Sequence, residues 1–218
     1  MARSRPLPRR PGRPTQGDPD LRERLLDASL AAFVSGGIAA TPLKSIAHAA
    51  GVTPALVHYY FGSKQQLVSA VIEERLMPVL AQLQASVAGG RVSSAGIARE
   101  FVGALHRVVA EHPWLPVLWV REILTEGGAL RELLLTRIAP MIPQQMALRF
   151  AQAQQAGKLN AGLDPRLLVV SLIGLTLFPL AAEPIWRRLF ATGDIDHALL
   201  QSHTIALLER GLESGHAP

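Results

Sequence analysis

Cysteine is absent from the 218 residues, which excludes disulfides, a thiolate nucleophile and cysteine-rich zinc sites, and suits a reducing compartment. Charged residues make up only 18% of the chain against 49% hydrophobic ones, a balance that excludes wholesale disorder beyond the first residues. A long apolar run is also lacking. The most apolar uncharged stretch, Leu167 to Ala182, contains Ser171, Thr176 and Pro179 and falls short of the ~20 residues that span a bilayer. It reads as a buried helix, so no membrane partner is expected. Met1 to Gly17 has no apolar core of a signal peptide, only Leu7 among Pro, Gly and Arg, so a cytoplasmic location is expected.

The charge that is present is unevenly placed. The chain carries 22 basic and 17 acidic residues, a net +5, and Arg3, Arg5, Arg9, Arg10 and Arg13 all precede the first acid, Asp18. From Asp18 onward the two signs balance, as in a near-neutral globule. A short cationic arm on a neutral body points to a polyanion bound through the arm. Its Arg10-Pro11-Gly12-Arg13-Pro14 stretch resembles an AT-hook, and Arg10 and Arg13 are thereby candidates for a narrow minor groove. A plain solubilising tail is the other reading of the same residues.

Helical periodicity begins at Asp18 to Asp20 and continues almost to the end, with no alternating strand pattern, so the fold class is all-α. Leu21, Leu25, Ala28 and Ala32, with Leu26, Leu30 and Phe33, form the apolar face of a first helix that Gly36-Gly37 stops. Thr41-Pro42 and Thr53-Pro54 each combine a capping hydroxyl with a proline suited to a first helical turn. They open two short helices separated by Gly51. Ser63 and Gln66 fit a capping box that launches a long fourth helix toward Ala85, kinked at Pro78. Further helices are expected over 94–111, 113–126, 129–156, 164–182 and 194–211.

The pair of short helices around Gly51 has the spacing of a helix-turn-helix, whose second helix enters the major groove. Thr53, Pro54, Ala55, His58 and Tyr59 fall at the start and exposed face of that second helix. His58 and Tyr59 can donate to phosphates or base edges. Thr41 and Lys44 begin the preceding helix, where free N–H groups suit a phosphate, and Lys64 is placed to clamp the backbone. Tyr59 and Tyr60 also fit as core aromatics. The segment Leu21 to Leu67 resembles the DNA-binding domain of the tetracycline-repressor-like (TetR) family. The resemblance rests on Leu25, Leu26, Phe33, Gly37, Thr41, Ile46-Ala47, Ala50-Gly51-Val52, Tyr60-Phe61, Ser63-Lys64 and Leu67. The family often has Tyr where His58 stands.

The expected organisation is an arm (1–17), a three-helix DNA-binding domain (18–67) and a helical ligand-binding and dimerisation domain (68–218). In that last part, Phe101, Trp114, Trp119, Phe150 and Phe178 are bulky apolar groups among a few polar ones, His106, Arg121 and Glu122. Such a mixture suits an apolar pocket with polar anchors, and equally an ordinary core. Leu168, Ser171, Leu172 and Leu175, with Leu200, His203 and Leu207, are candidates for self-association, because a helix apolar on all sides must be covered. The resemblance implies a four-helix dimer interface, a palindromic operator in double-stranded DNA and a small-molecule effector. No nucleophile–base pair, phosphate-cradling loop or His ligand pair is readable, so neither an enzyme nor a metal or cofactor is expected. The sequence reads as a regulator, most simply a repressor released by an apolar or amphipathic ligand. A constitutive or architectural DNA binder, and a small helical enzyme, stay open as alternatives.

Overall fold

The computed structural model describes residues 19–88 and 93–212; Arg10 and Arg13 of the arm lie outside them. Among the described residues all regular elements are helical. The N-terminal group comprises α1 (Pro19–Gly36), α2 (Leu43–Ala49) and α3 (Pro54–Phe61). Next, α4 runs through Lys64–Val71, a π-helical turn Ile72–Leu76, and Met77–Ala88. The body adds α5 (Ser94–Glu111), α6 (Leu115–Trp119 with the π turn Val120–Leu124), and α7 (Arg131–Leu133, the π turn Leu134–Ile138, Ala139–Met141). It is completed by α8 (Pro143–Gln155), α9 (Pro165–Ala181), α10 (Glu183–Leu189) and α11 (His197–Leu212).

Local chemistry accounts for the joints. Gly51 adopts φ +69°, and Val52 N–H reaches back to the Ala47 carbonyl at 2.9 Å, the left-handed closure that a residue without Cβ accepts most readily. Ser63 accepts from Gln66 N–H, and the Gln66 side chain accepts from Ser63 N–H at 2.9 Å, which is the expected capping box. The two threonine caps are not formed. Pro42 is the N-cap of α2 and Thr53 makes no side-chain cap bond. The buried Thr41 hydroxyl instead donates to the Gly37 carbonyl at 2.6 Å, tying the approach to α2 back to the end of α1.

Proline explains two of the π turns. Pro78 cannot donate to the Glu74 carbonyl four residues back, and Arg75 donates to that carbonyl instead at 3.3 Å. Pro140 stands in the same relation to Thr136 in the turn of α7. The helix expected over 129–156 accordingly splits at Ile142, where the backbone leaves the helical region before Pro143. Helix α10, with Pro184 in its first turn, has no counterpart among the expected elements.

The three N-terminal helices close over Leu25, Leu26, Phe33, Ile46, Val57 and Phe61, with Leu67 contributed by α4. Arg22 forks onto Glu74 at 2.5 and 2.6 Å, and Arg75 reaches Asp27 at 2.7 Å and Glu23 at 2.6 Å, so the π turn of α4 is strapped to α1. The Arg22 guanidinium holds the Glu74 carboxyl below the usual carboxylate range. Each of these side chains keeps substantial contact with solvent, so each pair contributes about 0–1 kcal/mol. In the body α5 is central, packing against α4, α8, α9 and α11. No single described helix is long and apolar enough to cross a membrane.

Candidate functional site

The helix-turn-helix presents one exposed face. Lys44 on α2, and Thr53, Pro54, Ala55, His58 and Tyr59 on α3, are all exposed or partly so. Opposite them Val57 and Phe61 are buried, so a single turn of helix separates groups facing solvent from groups facing the core. Tyr59 is 61% exposed and meets Tyr60 edge-on at 5.5 Å, which places it on the surface and not in the core. Residues of small volume at 53–55 leave room for close approach to a groove.

His58 has a defined hydrogen-bond role. Its Nδ1 lies 2.6 Å from the Gly62 carbonyl, and because a carbonyl only accepts, Nδ1 carries the hydrogen. The neutral ring is left with Nε2 as an acceptor, suited to an adenine or cytosine amino group; only the protonated ring donates to phosphate there. Lys64 Nζ donates to the Ala39 carbonyl at 2.8 Å, which holds the start of α4 against the turn between α1 and α2. Thr41 departs from the expected surface set, because its side chain is buried and its hydroxyl is engaged with Gly37.

The body contains an apolar cleft between α6, α7 and α9. Its outer part has a volume of about 380 Å³, with Val120, Leu124, Leu135, Gly174 and Phe178 at its wall, within the ~300–1,000 Å³ of small-molecule sites. Trp119, Leu134, Pro143, Ile173 and Leu177 are shared with a narrower inner part that reaches Leu83 and Phe101. The lining carries no charged side chain. Among the expected ligand residues, Phe101, Trp119 and Phe178 meet here. Phe150 is fully buried in the core instead, and Trp114 packs on His112 at 5.7 Å.

Arg121 and Glu122 are not polar anchors of the cleft. They point the other way: Arg121 donates to the Ser35 carbonyl, and Glu122, 4% exposed, accepts from Ile38 N–H at 2.9 Å and Ala129 N–H at 3.1 Å. The cleft residues Val120, Leu124, Leu134, Leu135, Ile173 and Gly174 are absent from the sequence-based set. The apolar run of α9 hides its share of them, since every residue of that run is equally compatible with a subunit contact.

His106 also lies outside the cleft. It is 5% exposed, and neither ring nitrogen has a hydrogen-bond partner among the described residues. Burial, with a smaller contribution from His197, holds its pKa below the ordinary 6.5. The unfolded chain therefore binds a proton that the folded chain resists, and stability falls as pH drops below about 6.5. Urea unfolding at pH 7.5 and 5.5 is expected to show a larger acid loss in the parent chain than in His106→Leu. Equal losses would remove His106 as the source.

The surface of α9 separates into two faces. Leu172 is fully buried and Leu168 nearly so, and both belong to the protomer core, not to an interface. Leu167, Val170, Ser171, Gly174, Leu175 and Phe178 form an exposed stripe, at spacings of three and four residues. On α11 His203 and Leu207 are exposed and Leu200 half-buried. On α10 Ile185, Leu189 and Phe190 just beyond it extend the exposed apolar area.

Residues 25–71 match the model of the bacterial regulatory proteins of the tetR family. Over 91 residues the chain is 40% identical to the HTH-type transcriptional regulator BetI of Rhizobium meliloti, covering 42% of each protein. It is 37% identical over 60 residues to the HTH-type transcriptional regulator SrpR of Pseudomonas putida, 28% of each. The chain thus matches less than half the length of these relatives. The fold extends further. The ketosteroid transcriptional regulator KstR2 of Mycobacterium tuberculosis superposes with a TM-score of 0.70 at 18% identity, over 89% of this chain and 95% of that one. FadR of Bacillus subtilis, solved with stearoyl-CoA, gives 0.66 at 16% identity, over 87% and 98%.

Proposed function

We propose that this chain, a member of the tetR family of bacterial regulatory proteins through its N-terminal module, is a homodimeric repressor that leaves its operator when an apolar molecule fills the cleft of the body. The observation that carries the reading is the pairing of an exposed α3 face with a preformed apolar cleft in one chain. Tyr59, His58, Thr53, Pro54, Ala55 and Lys44 are assigned to DNA, with Lys64 holding the module in shape. Phe101, Trp119 and Phe178 are assigned to the ligand.

The chemistry of the cleft limits what it takes. A charged group moved into that lining would find no partner and would cost several kcal/mol, so any polar head stays at the mouth near Phe178. The stearoyl-CoA found with FadR is a long apolar chain with a polar head, in keeping with this limit. The part of the α9 stripe outside the cleft, Leu167, Ser171 and Leu175, continued on α10 and α11, supports pairing through these helices, since an apolar surface of this extent is uncommon on a monomer.

The test uses a series of straight-chain alkyl compounds of increasing length, with neutral or carboxylate heads, and Trp119 fluorescence as the reporter. Binding is expected to quench Trp119, with no such change in Trp119→Phe, and to release DNA. Saturating DNA must then weaken the same compound by the same factor. Quenching without any change in DNA affinity would reduce the chain to a constitutive DNA binder, because equal affinity for both conformations shifts nothing.

A further inference from the structure

We propose that Arg121 and Glu122 are positioning residues of the helix-turn-helix, and that the π turn Val120–Leu124 sets their position according to what fills the cleft. The proposal rests on the cleft being the ligand site. It adds the route by which that site reaches α2 and α3.

The turn has two faces with two different jobs. Val120 and Leu124, at its ends, form part of the cleft wall. Between them, Arg121 donates to the carbonyl of Ser35 in the last turn of α1, and Glu122 accepts the N–H of Ile38 just past that helix. Consecutive side chains therefore hold both sides of Gly37, which turns at φ +84°. A Cβ built on Gly37 would lie 3.3 Å from the Glu122 carboxylate and 3.5 Å from Arg121 Cδ, so the turn sits directly on the pair.

From Gly37 the connection continues to the reading helices. Its carbonyl accepts both the Thr41 hydroxyl at 2.6 Å and the Thr41 N–H at 3.2 Å. Thr41 immediately precedes Pro42, the N-cap of α2, and Ala50-Gly51-Val52 closes α2 onto α3. An unbroken series of hydrogen bonds and short backbone links thus joins the cleft wall to the start of the helix-turn-helix. A π turn carries one residue more than an α turn, and resolving it re-aims the side chains beyond it by about 100°. Moving Val120 and Leu124 without moving Arg121 and Glu122 would require the five-residue turn to come apart.

A second connection exists and is the weaker one. Arg137, in the π turn of α7, pairs with Glu73 in the π turn of α4, whose neighbours Glu74 and Arg75 hold α1. Arg137 and Glu73 are exposed, and exposed pairs transmit little because water replaces them cheaply. Glu122 is buried, and the Ile38 N–H it accepts is buried with it and has no water to turn to.

The experiment fills the cleft from within the chain, with Ala139→Phe on α7, whose alanine lines the outer part. The full-length parent, Arg121→Ala/Glu122→Gln and Arg137→Ala are each made with and without it. Amide exchange of the peptide 36–43 is read, which requires neither DNA nor ligand. In the parent and in Arg137→Ala, filling the cleft is expected to change exchange there by about tenfold, the size of a typical coupling. In the Arg121→Ala/Glu122→Gln chain the change is expected to vanish. If that double variant does not fold, Arg121→Ala alone carries the comparison, since its side chain is only partly buried.

An unchanged parent on filling, or an equal change with and without the pair, overturns the proposal. A change lost in Arg137→Ala but kept without Arg121 and Glu122 overturns it in favour of the α7–α4 route. Should exchange respond as expected while no duplex is bound, the positioning role stands and the regulator reading fails.

Discussion

Leu175→Glu and Leu167→Glu are each expected to leave a folded chain that sediments as a monomer. Both side chains are on the outer stripe of α9, 38% and 66% exposed, so a carboxylate there costs the isolated protomer little. Across a two-fold interface each substitution acts twice, and an unpaired charge buried between subunits costs about 3–5 kcal/mol. That is enough to shift a dimer of ordinary affinity by about two to four orders of magnitude, at about 1.4 kcal/mol per tenfold. Leu172→Glu, on the inner face of the same helix, is expected to fail differently. Leu172 is fully buried in the protomer, so its loss appears in the helical signal and not in the assembly state alone. Sedimentation and circular dichroism of the three variants separate the cases, and a dimeric Leu175→Glu would move the interface off α9.

Tyr59→Ala is expected to weaken DNA binding by about 1–3 kcal/mol, or roughly 5- to 150-fold, with fold and assembly unchanged. The side chain is the largest exposed group on α3 and rests edge-on against Tyr60. Truncation removes no core volume, because Val57 and Phe61 carry the buried face. Retardation of a selected duplex, beside thermal unfolding, tests this. Unchanged affinity with an intact fold would remove Tyr59 from the interface, and a drop in unfolding temperature would return it to the core.

How far the sequence can be read depends on which interactions are local. The turn at Gly51, the box of Ser63 with Gln66, and the cap of α9 by Asp164, which accepts from Arg166 N–H at 2.8 Å, involve neighbours a few residues apart, and their signals are in the chain itself. Thr41 shows the limit of that logic. A threonine before proline is a fair cap, but here the hydroxyl finds the Gly37 carbonyl first.

Glu122 could not have been assigned from the sequence, because its partner Ile38 is 84 residues away. The π turn adds to the difficulty. Counting at 3.6 residues per turn through an element that carries an extra residue assigns the next side chains to the wrong face. On α9 the obstacle is uniformity. A helix apolar on every side gives no phase, so Leu168 and Leu172 could not be told from Leu167 and Leu175 without the neighbours that bury the first pair. The cleft is illegible for the same reason, since its walls come from three helices joined only in the fold.

The most direct measurement is selection of duplexes from a random-sequence pool by the full-length chain, with sequencing of what is retained. An inverted repeat is expected, with half-site centres separated by about one helical turn (~34–36 Å) or a multiple of it, as two α3 helices related by a two-fold axis require. The retained duplex should bind one dimer, and Tyr59→Ala should fail to enrich it. Retention of DNA without any shared sequence, or of single half-sites by a monomer, would contradict a dimeric sequence-specific regulator.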